Sequence, residues 1–287
     1  MSLIIMKEPI ETYGISNSDE LMCKHILAVC NVGNRRKLAT ALISGEFSAT
    51  EILKSKILKE KYKISGLKEA GKRAEIEKDL IEKNNISYSL IGEPDYPCKI
   101  ESLDSPPFML RWQGELKTSE LVAIVGSRAA LRRDMDRAYD IAGLLVNLGY
   151  GIISGGAYGV DGAAHRGALA NNGYTIVFSG SGLLQPYPDR HEKLFEKIVA
   201  NGGCIISSMV VNSHPYAYSF LQRNHFIAAL SEKLIIISAK RKSGALSTAK
   251  WGNRLKKTVY ACEGSDGCDF LLKMNRAESW SLDDFLG

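Results

Sequence analysis

The sequence predicts an α/β protein with a doubly wound, mainly parallel sheet and a small all-helical N-terminal domain. From residue 121 onward, short apolar runs alternate with stretches of helical periodicity, as in strands that are joined by helical crossovers. The run Leu234-Ile235-Ile236-Ile237 is apolar at every position, which is typical of a strand in a sheet covered on both faces. Residues 20–83, by contrast, show helical spacing alone.

The helical N-terminal domain is assigned to residues 1–85. Breaks in the periodicity at 31–34 and 65–66 separate its helices, and a small bundle is the simplest arrangement. Residues 26–42 have the layout of a helix-hairpin-helix, as in SAM-like domains, which can hold a DNA phosphate at its turn. Because this turn contains one glycine, a plain helical turn is favoured.

Residues 86–118 are expected to form an irregular linker that wraps onto the main domain, because they contain Tyr96-Pro97, Pro106-Pro107 and Gly114. The main domain, with a C-terminal tail, is assigned to residues 119–287. Its expected strands are 121–125, 150–154, 175–178, 204–207, 233–238 and 258–261. Its expected helices are 132–148, 160–170, 191–200, 222–230 and 245–255.

Four tight turns of glycine and serine lie between an expected strand and the helical stretch that follows it. They are Gly126-Ser127-Arg128, Ser154-Gly155-Gly156, Gly180-Ser181-Gly182 and Ser243-Gly244. Small residues let backbone N–H groups approach an anion, and a helix N-terminus adds partial positive charge. Because parallel strands end at one edge of a sheet, where ligands bind, the turns predict a surface that holds several phosphates of one polymer.

Basic side chains are concentrated near the last of these turns. The chain has a net charge of +5, and residues 231–262 contain eight basic side chains against one glutamate. A solvated helix face explains any single lysine of this stretch. The cluster beside Ser243-Gly244 nevertheless favours an anionic partner.

The cysteines and the apolar runs predict a cytoplasmic protein that does not enter a membrane. Six cysteines without a C-x-x-C pair indicate reduced thiols, mostly in the core. Residues 1–7 are too short for the apolar region of a signal peptide, and no apolar run approaches membrane-spanning length.

The common nucleotide and metal motifs are absent from the sequence. It contains no G-x-x-x-x-G-K-[ST], no G-x-G-x-x-G and no H-E-x-x-H, so we expect no cofactor, no metal and no catalytic residue. Asp161 and His165 have the i, i+4 spacing with which a carboxylate can orient an imidazole base. A structural pair at the start of a helix, with His165 bonded to Asp161, is the favoured interpretation.

Five sequence blocks occur in a fixed order. They are Val122-Ala123-Ile124-Val125-Gly126-Ser127-Arg128; Ser154-Gly155-Gly156-Ala157-Tyr158-Gly159-Val160-Asp161 with Ala164-His165; Thr175-Ile176-Val177 with Gly180-Ser181-Gly182-Leu183 and Tyr187-Pro188; Phe220 with Arg223-Asn224, Ile227-Ala228 and Leu230; and Ser243-Gly244-Ala245-Leu246 with Thr248-Ala249. Together with Tyr96-Pro97, Pro106 and Gly114, they resemble the DNA-processing protein A family (DprA, also called Smf). Departures from the family pattern are Leu221 for proline, His225 for arginine, Ala229 for glycine and Ser208-Met209 for Ser-Glu.

The resemblance implies a Rossmann-like domain in a cytosolic homodimer that binds single-stranded DNA with little sequence preference. Such proteins protect incoming strands and help to load a RecA-type recombinase in natural transformation (competence) and recombination. The residues expected to bind DNA phosphates are Gly126, Ser127, Arg128, Ser154, Gly155, Gly156, Gly180, Ser181, Gly182, Arg190, Arg223, Asn224, Lys240, Arg241, Lys242, Ser243 and Gly244. For Asn224, a buried amide bonded to a neighbouring loop is an equal alternative.

Two other classes of function stay open on the sequence. One is a nucleotide-processing enzyme that resembles the phosphoribohydrolases, although the P-G-G-x-G-T turn of those enzymes is absent here. The other is a sensor that binds one free nucleotide and signals through the helical domain.

Overall fold

The computed structural model describes residues 20–118 and 120–286. The chain divides into two compact units, Met1–Arg111 and Trp112–Gly287, called here the N-terminal and C-terminal units. The segment 1–7, considered above as a signal peptide, lies outside the described residues. Among the helices that are described, none is long and apolar enough to cross a membrane.

The N-terminal unit has the helices expected over residues 20–83, with two very short strands between them. The helices are α1 (Glu20–Val29), α2 (Arg35–Ile43), α3 (Ala49–Lys54), α4 (Lys56–Tyr62) and α5 (Leu67–Lys83), and the strands are β1 (Asn31–Val32) and β2 (Ile64–Ser65). Ser48 caps α3 in a reciprocal hydrogen-bond pair with Glu51. Leu27, Leu38 and Ile52 are fully buried in the core of the unit.

The turn between α1 and α2 is a structural turn whose polar groups are occupied. Its residues pair with β2 in antiparallel register, Asn31 opposite Ser65 and Val32 opposite Ile64. The Gly33 and Asn34 amides donate to backbone carbonyls of the 62–63 turn. These two amides are therefore not offered to a phosphate, which supports the plain helical turn that the single glycine favoured.

Residues 86–118 are more regular than the linker expected from their prolines, and this expectation is corrected. They contain β3 (Ser87–Leu90), the short helix α6 (Cys98–Glu101) and β4 (Met109–Gly114). β3 is the hydrogen-bonded neighbour of β4. The prolines lie in the connections between these elements, where a missing amide proton removes no ladder hydrogen bond. The division between the two units falls within β4.

The C-terminal unit confirms the predicted α/β class with its parallel sheet. Its strands are β5 (Leu121–Val125), β6 (Gly151–Ser154), β7 (Thr175–Ser179), β8 (Cys204–Ser207), β9 (Lys233–Ile236), β10 (Thr258–Ala261) and β11 (Glu278–Ser279). Its helices are α7 (Arg132–Asn147), α8 (Val160–Ala170), α9 (Glu192–Ala200), α10 (Ala217–Leu230), α11 (Gly244–Arg254) and α12 (Asp266–Lys273). Neighbouring strands of this unit run parallel.

Two parts of this unit differ from the expectation. α10 begins at Ala217, five residues before the expected start, and Ser219 Oγ accepts the Tyr216 amide at its N-terminus at 3.2 Å. α12 and β11 were not predicted. Gly264 precedes α12 and Gly267 lies in its first turn.

The strand order places a topological switch at the centre of the sheet. The order is β11-β10-β9-β5-β6-β7-β8, so the chain winds outward from β5 in one direction and from β9 in the other. The connections at the carboxyl ends of β5 and β9 leave on opposite sides of the sheet and open a crevice between them. Ligands of doubly wound sheets bind in this crevice.

Candidate functional site

A groove of about 500 Å³ occupies the crevice at the switch point. The loop after β5 forms one wall, the loop after β9 and the start of α11 form another, and α10 closes the side between them. The lining residues are Val125, Gly126, Ser127, Arg128, Ala129, Ala157, Asp161, Ala217, Phe220, Leu221, Arg223, Asn224, Ile227, Lys240, Ser243, Gly244, Ala245 and Thr248.

Eight of the expected phosphate-binding residues line this groove and nine do not. Those in the lining are Gly126, Ser127, Arg128, Arg223, Asn224, Lys240, Ser243 and Gly244. Those outside it are Ser154, Gly155, Gly156, Gly180, Ser181, Gly182, Arg190, Arg241 and Lys242. Two of the four predicted turns, the first and the last, therefore form the groove directly.

Two arginines lie against the ring of Phe220 in the groove. The Arg128 guanidinium carbon is 5.0 Å from the ring centroid, and that of Arg223 is 5.9 Å away. Arg128 is exposed, whereas Arg223 is 5% exposed. The groove thus combines an apolar ring with two cations, one open to solvent and one fixed in the wall.

Arg223 is a buried cation with an unused donor. Its Nη1 donates to the Phe178 carbonyl at 3.2 Å, while its Nε has no hydrogen-bond acceptor among the described residues. Burial lowers the pKa of Arg223 to about 10, and the charge of Asp161 opposes this effect. Arg223 therefore stays protonated at neutral pH, and a buried N–H group without an acceptor is a good donor for an anionic ligand.

Asp161 joins the two loops that meet beneath Arg223. Its Oδ2 accepts the Ala157 amide at 3.3 Å, and the Gly126 amide also hydrogen-bonds to it. Burial raises the pKa of Asp161, opposed first by the positive charge of Arg223. This carboxylate fixes the loop after β5 to the loop after β6 and supplies a negative charge to Arg223.

The predicted structural pair of Asp161 and His165 is wrong. His165 Nδ1 lies 2.8 Å from the Thr175 hydroxyl, which itself donates to the Ile152 carbonyl at 2.9 Å. The hydroxyl therefore accepts a hydrogen bond from the Nδ1–H group, and Nε2 is left buried without a partner among the described residues. Burial lowers the pKa of His165 to about 3, so the ring is neutral. The i, i+4 spacing was misleading because the Asp161 carboxylate interacts with the loop amides and with the charge of Arg223 instead of with His165.

Gly155 and Gly180 shape the groove from beneath rather than lining it. A Cβ atom on Gly155 would lie 1.4 Å from Arg223 Nη1, and one on Gly180 would lie 2.7 Å from the Phe220 ring. Gly156, in the same turn as Gly155, has a left-handed φ of 70° and packs against Phe195. These glycines are needed because groove side chains cross directly over the backbone.

Two of the amides that were assigned to phosphates in the turn after β7, those of Ser181 and Gly182, already have internal partners, and their assignment is corrected. The Ser181 amide donates to Ser179 Oγ at 3.1 Å, and the Gly182 amide donates to the Ser213 carbonyl at 2.9 Å. The Ser154 hydroxyl, after β6, donates to the Ile124 carbonyl at 2.6 Å and is fully buried. All three groups have internal partners.

The Asn224 side chain connects α10 with Gly244 at the start of α11. The Asn224 side-chain amide donates to the Gly244 carbonyl at 3.1 Å, which is the buried-amide alternative stated for this residue. Ser243 Oγ is buried in the groove lining and has no partner among the described residues. Ser243 thus resembles Arg223 in presenting an unused polar atom.

The remaining basic residues divide into one groove cation and three others. Lys240 is exposed at the groove. Arg241 instead forms an ion pair with Asp266, with Nε 3.0 Å from Oδ1, and lies over the Phe270 ring. Lys242 and Arg190 are exposed outside the groove lining. The triplet 240–242 therefore does not act as one unit.

Phe220 and Leu221 were missed as groove residues. Both lie in the first turns of α10, and the late helix start at 222 placed them in a loop. Their signal in the sequence was an aromatic and an aliphatic residue next to Arg223-Asn224. In residues 20–118 and 120–286, no cluster of three or more His, Cys, Asp and Glu side chains could hold a metal ion.

Comparisons with known proteins identify the relatives of this chain. A sequence model of the family described as DNA recombination-mediator protein A matches residues 87–286. The protein Smf of Synechocystis is 36% identical over 190 residues, which are 64% of this chain and 48% of that protein. The chain thus spans about half the length of its first curated relatives.

Two solved structures are similar in fold and in sequence. DNA processing protein A from Helicobacter pylori, studied for its single-stranded DNA binding mode, has a TM-score of 0.63 and 31% identity, covering 70% of this chain and 94% of that one. DprA from Streptococcus pneumoniae has a TM-score of 0.73 and 26% identity, covering 95% of this chain and 97% of that one.

Proposed function

Because the chain belongs to the DNA recombination-mediator protein A family, we propose that it binds single-stranded DNA in the groove at the switch point. The observation that carries this proposal is the convergence of Arg128, Phe220, Arg223 and Ser243 on one cavity. The solved relative from Helicobacter pylori, which has a single-stranded DNA binding mode, supports the same class of ligand.

The polar groups of the groove suit a phosphate backbone. Arg128 supplies a solvent-exposed guanidinium that can form a bidentate contact, and Lys240 adds a second exposed cation. The free Nε of Arg223 and the free Oγ of Ser243 are two further donors inside the wall. Contacts of this kind hold a strand without reading its bases.

The apolar part of the groove suits unpaired bases. Single-strand binders combine a basic groove with aromatic rings, since every base has a face that stacks. Phe220 provides such a ring close to two guanidinium groups, and the Tyr187 ring lies 5.4 Å from it. Tyr187 is 42% exposed. A paired duplex keeps its bases stacked inside and does not use these rings.

We extend the proposal to the wider role of the family without adding a catalytic step. The protein acts as a cytoplasmic homodimer that protects single strands and helps to load a RecA-type recombinase in natural transformation or another recombination pathway. The proposed role of the groove is binding; His165, which the sequence offered as a possible base, bonds to Thr175 and is not among the lining residues. The family resemblance supports the dimer and the recombinase partner.

A competition titration tests this function against the two alternatives. A labelled poly-pyrimidine strand is bound to the protein, and unlabelled strand, duplex and nucleoside monophosphate are added at equal nucleotide concentration. We expect the single strand to displace the label and the monophosphate to leave it bound. Displacement by the monophosphate would favour a nucleotide sensor, and release of free base from it would favour an enzyme.

A further inference from the structure

A second concentration of positive charge lies in the N-terminal unit, whereas the groove is formed by residues of the C-terminal unit. Residues 54–68 contain six lysines and one glutamate, a net charge of +5. This equals the net charge of the whole chain, so the other residues sum to zero. The stretch comprises the end of α3, all of α4, the short strand β2 and the first turn of α5.

The fold brings four of these lysines to one open depression of about 560 Å³. Its lining is Lys56, Lys59, Glu60, Lys63, Ile64, Ser65, Gly66, Leu67 and Lys68. The first three lysines of this lining follow i, i+3, i+7 spacing, which places them on one side of α4 and its C-cap. At 1.5 Å per residue, they extend over about 10 Å.

Three of the lysine side chains in the depression have no ion-pair partner among the described residues. In the part of the chain that the structure describes, Lys56, Lys63 and Lys68 are exposed and form no ion pair. The neighbouring Lys61, by contrast, is 3.5 Å from a Glu46 carboxylate oxygen. Like charges held this close repel one another, and an anionic partner removes that cost.

The composition of the depression favours a nucleic-acid backbone over bases. Its lining contains no aromatic side chain, and its apolar part is limited to Ile64 and Leu67. A single strand would find no surface for stacking there. A duplex keeps its bases paired and presents a charge about every 1.7 Å of its axis, against about 3.4 Å for one strand. Over about 10 Å, the duplex offers roughly six charges to a lining with a net charge of +3, from four lysines and one glutamate.

We propose that this depression binds the phosphate backbone of double-stranded nucleic acid, without sequence preference, as a site separate from the groove. Lys56, Lys63 and Lys68 make the phosphate contacts, and Lys59 adds to the local charge. The protein then has two nucleic-acid sites of different chemistry. One accepts unpaired bases and the other accepts only backbone.

The test compares two charge-matched triple variants of the full chain. Lys56→Gln/Lys63→Gln/Lys68→Gln removes the three contacts, and Lys83→Gln/Lys193→Gln/Lys197→Gln removes three exposed lysines elsewhere. Binding of a labelled 30-base-pair duplex (about three helical turns) is measured by anisotropy across salt concentrations. We expect the first variant to bind at least about tenfold more weakly at low salt, with a log–log slope shallower by roughly 2.7. The control should stay within about twofold of the parent protein.

Two further measurements distinguish this site from the groove, and a nucleic-acid partner from an anionic membrane. Arg128→Ala should weaken binding of single strands and leave duplex binding intact, while the lysine variant should do the reverse. Equal duplex binding by the two triple variants overturns the proposal, as does loss of duplex binding in Arg128→Ala. Binding to anionic lipid vesicles that depends on the three lysines, without duplex binding, would show a membrane surface instead.

Discussion

At the scale of single residues, the position of Arg223 depends on the missing side chain of Gly155. The guanidinium lies where a Cβ atom would be, 1.4 Å from the ideal position. Arg223 is held there by the Phe178 carbonyl and by the charge of Asp161. A pattern of glycines in the sequence indicated close approach, but it suggested an anion rather than an arginine from α10.

Gly155→Ala should therefore weaken binding of single-stranded DNA while the protein still folds. The methyl group meets the flexible end of Arg223, which moves out of the groove, so one charged contact is lost. Such a contact contributes about 1.5–3 kcal/mol, a loss of roughly ten- to hundredfold in affinity. Anisotropy titration with a poly-pyrimidine strand measures this loss of affinity.

Gly244→Ala is the matched control for this substitution. Gly244 also lies in a predicted turn and lines the groove, but a Cβ atom there would be 3.5 Å from the Asn224 side chain, an ordinary contact. The backbone amide is retained. We expect affinity within about threefold of the parent protein. Equal losses in both variants would show that Arg223 does not need the space above Gly155.

His165 should make the stability of the protein sensitive to acid. Its folded pKa is about 3, far below the usual value of 6.5, because burial disfavours the charged ring. Below pH 6.5 the unfolded state binds a proton that the folded state does not, so stability falls as pH falls toward 3. The slope from this group approaches about 1.4 kcal/mol per pH unit.

His165→Asn removes this titration and keeps a donor for Thr175. In urea unfolding between pH 7 and pH 4.5, the variant should lose less stability than the parent protein. His191, whose pKa burial also lowers, remains in both proteins and gives the same background. Identical pH profiles would mean that His165 can be protonated in the folded protein.

At the scale of elements, α10 carries much of the groove on one face. Phe220, Arg223, Asn224 and Ile227 follow i, i+3, i+4 and i+7 spacing, so they point to the same side of the helix. The Ser219 hydroxyl donates to the Gly180 carbonyl at 2.6 Å and fixes the first turn of the helix to the loop after β7. α10 thus places the Phe220 ring and the Arg223 guanidinium in the groove together.

The sequence predicted elements well where one physical signal dominated. Mainly apolar runs identified β5, β8 and β10 with their observed bounds, since a strand covered on both faces is rich in apolar residues. Side-chain hydrogen bonds were harder to predict from the sequence. Tyr216 and Ser219 at the cap of α10 form a pair that no periodicity indicates. The partners of Asp161 and His165 likewise depend on which loops pack around them.

In the N-terminal unit, a buried ion pair joins α5 to β4. Arg111 donates from Nε and Nη2 to both oxygens of Glu77 at 2.8 and 2.7 Å, and the two side chains are 2% and 0% exposed. Both partners are needed because either charge alone is costly in the interior. Neither residue was singled out in the sequence, since residues far apart in the chain form the pair.

Glu77→Ala should destabilise the protein by about 3–5 kcal/mol, because it leaves the Arg111 guanidinium buried without its carboxylate. The double variant Glu77→Leu/Arg111→Met should recover most of this loss, since apolar side chains of similar volume fill the site. Urea unfolding of the full chain measures both. A single substitution that costs less than about 1 kcal/mol would show that water reaches the site.

At the scale of the whole molecule, two stretches hold the positive charge. Residues 231–262 have a net charge of +7 and residues 54–68 have +5, against +5 for the chain. Composition alone therefore predicts an anionic partner but not how each cation is used. The structure assigns Lys240 to the groove and commits Arg241 to Asp266. Sequence proximity could not separate these two neighbours.

The family and the fold class could be predicted from the sequence, and the residues of the groove could be predicted in part. Turns at the carboxyl ends of β5 and β9 line it, as the strand pattern predicted. The turns after β6 and β7 support it from beneath, because Arg223 and Phe220 from α10 cross over them. Which loops touch a ligand depends on side chains contributed from elsewhere in the fold.

The salt dependence of strand binding by Arg128→Ala tests the central claim most directly. Affinity of the parent protein for a poly-pyrimidine strand should rise with length over about the first dozen nucleotides and fall log-linearly with salt, by about 0.7 per phosphate contacted. Arg128→Ala should weaken binding to every sequence alike and make the slope shallower by about 0.7. An unchanged slope and an unchanged affinity would contradict single-strand binding in the groove.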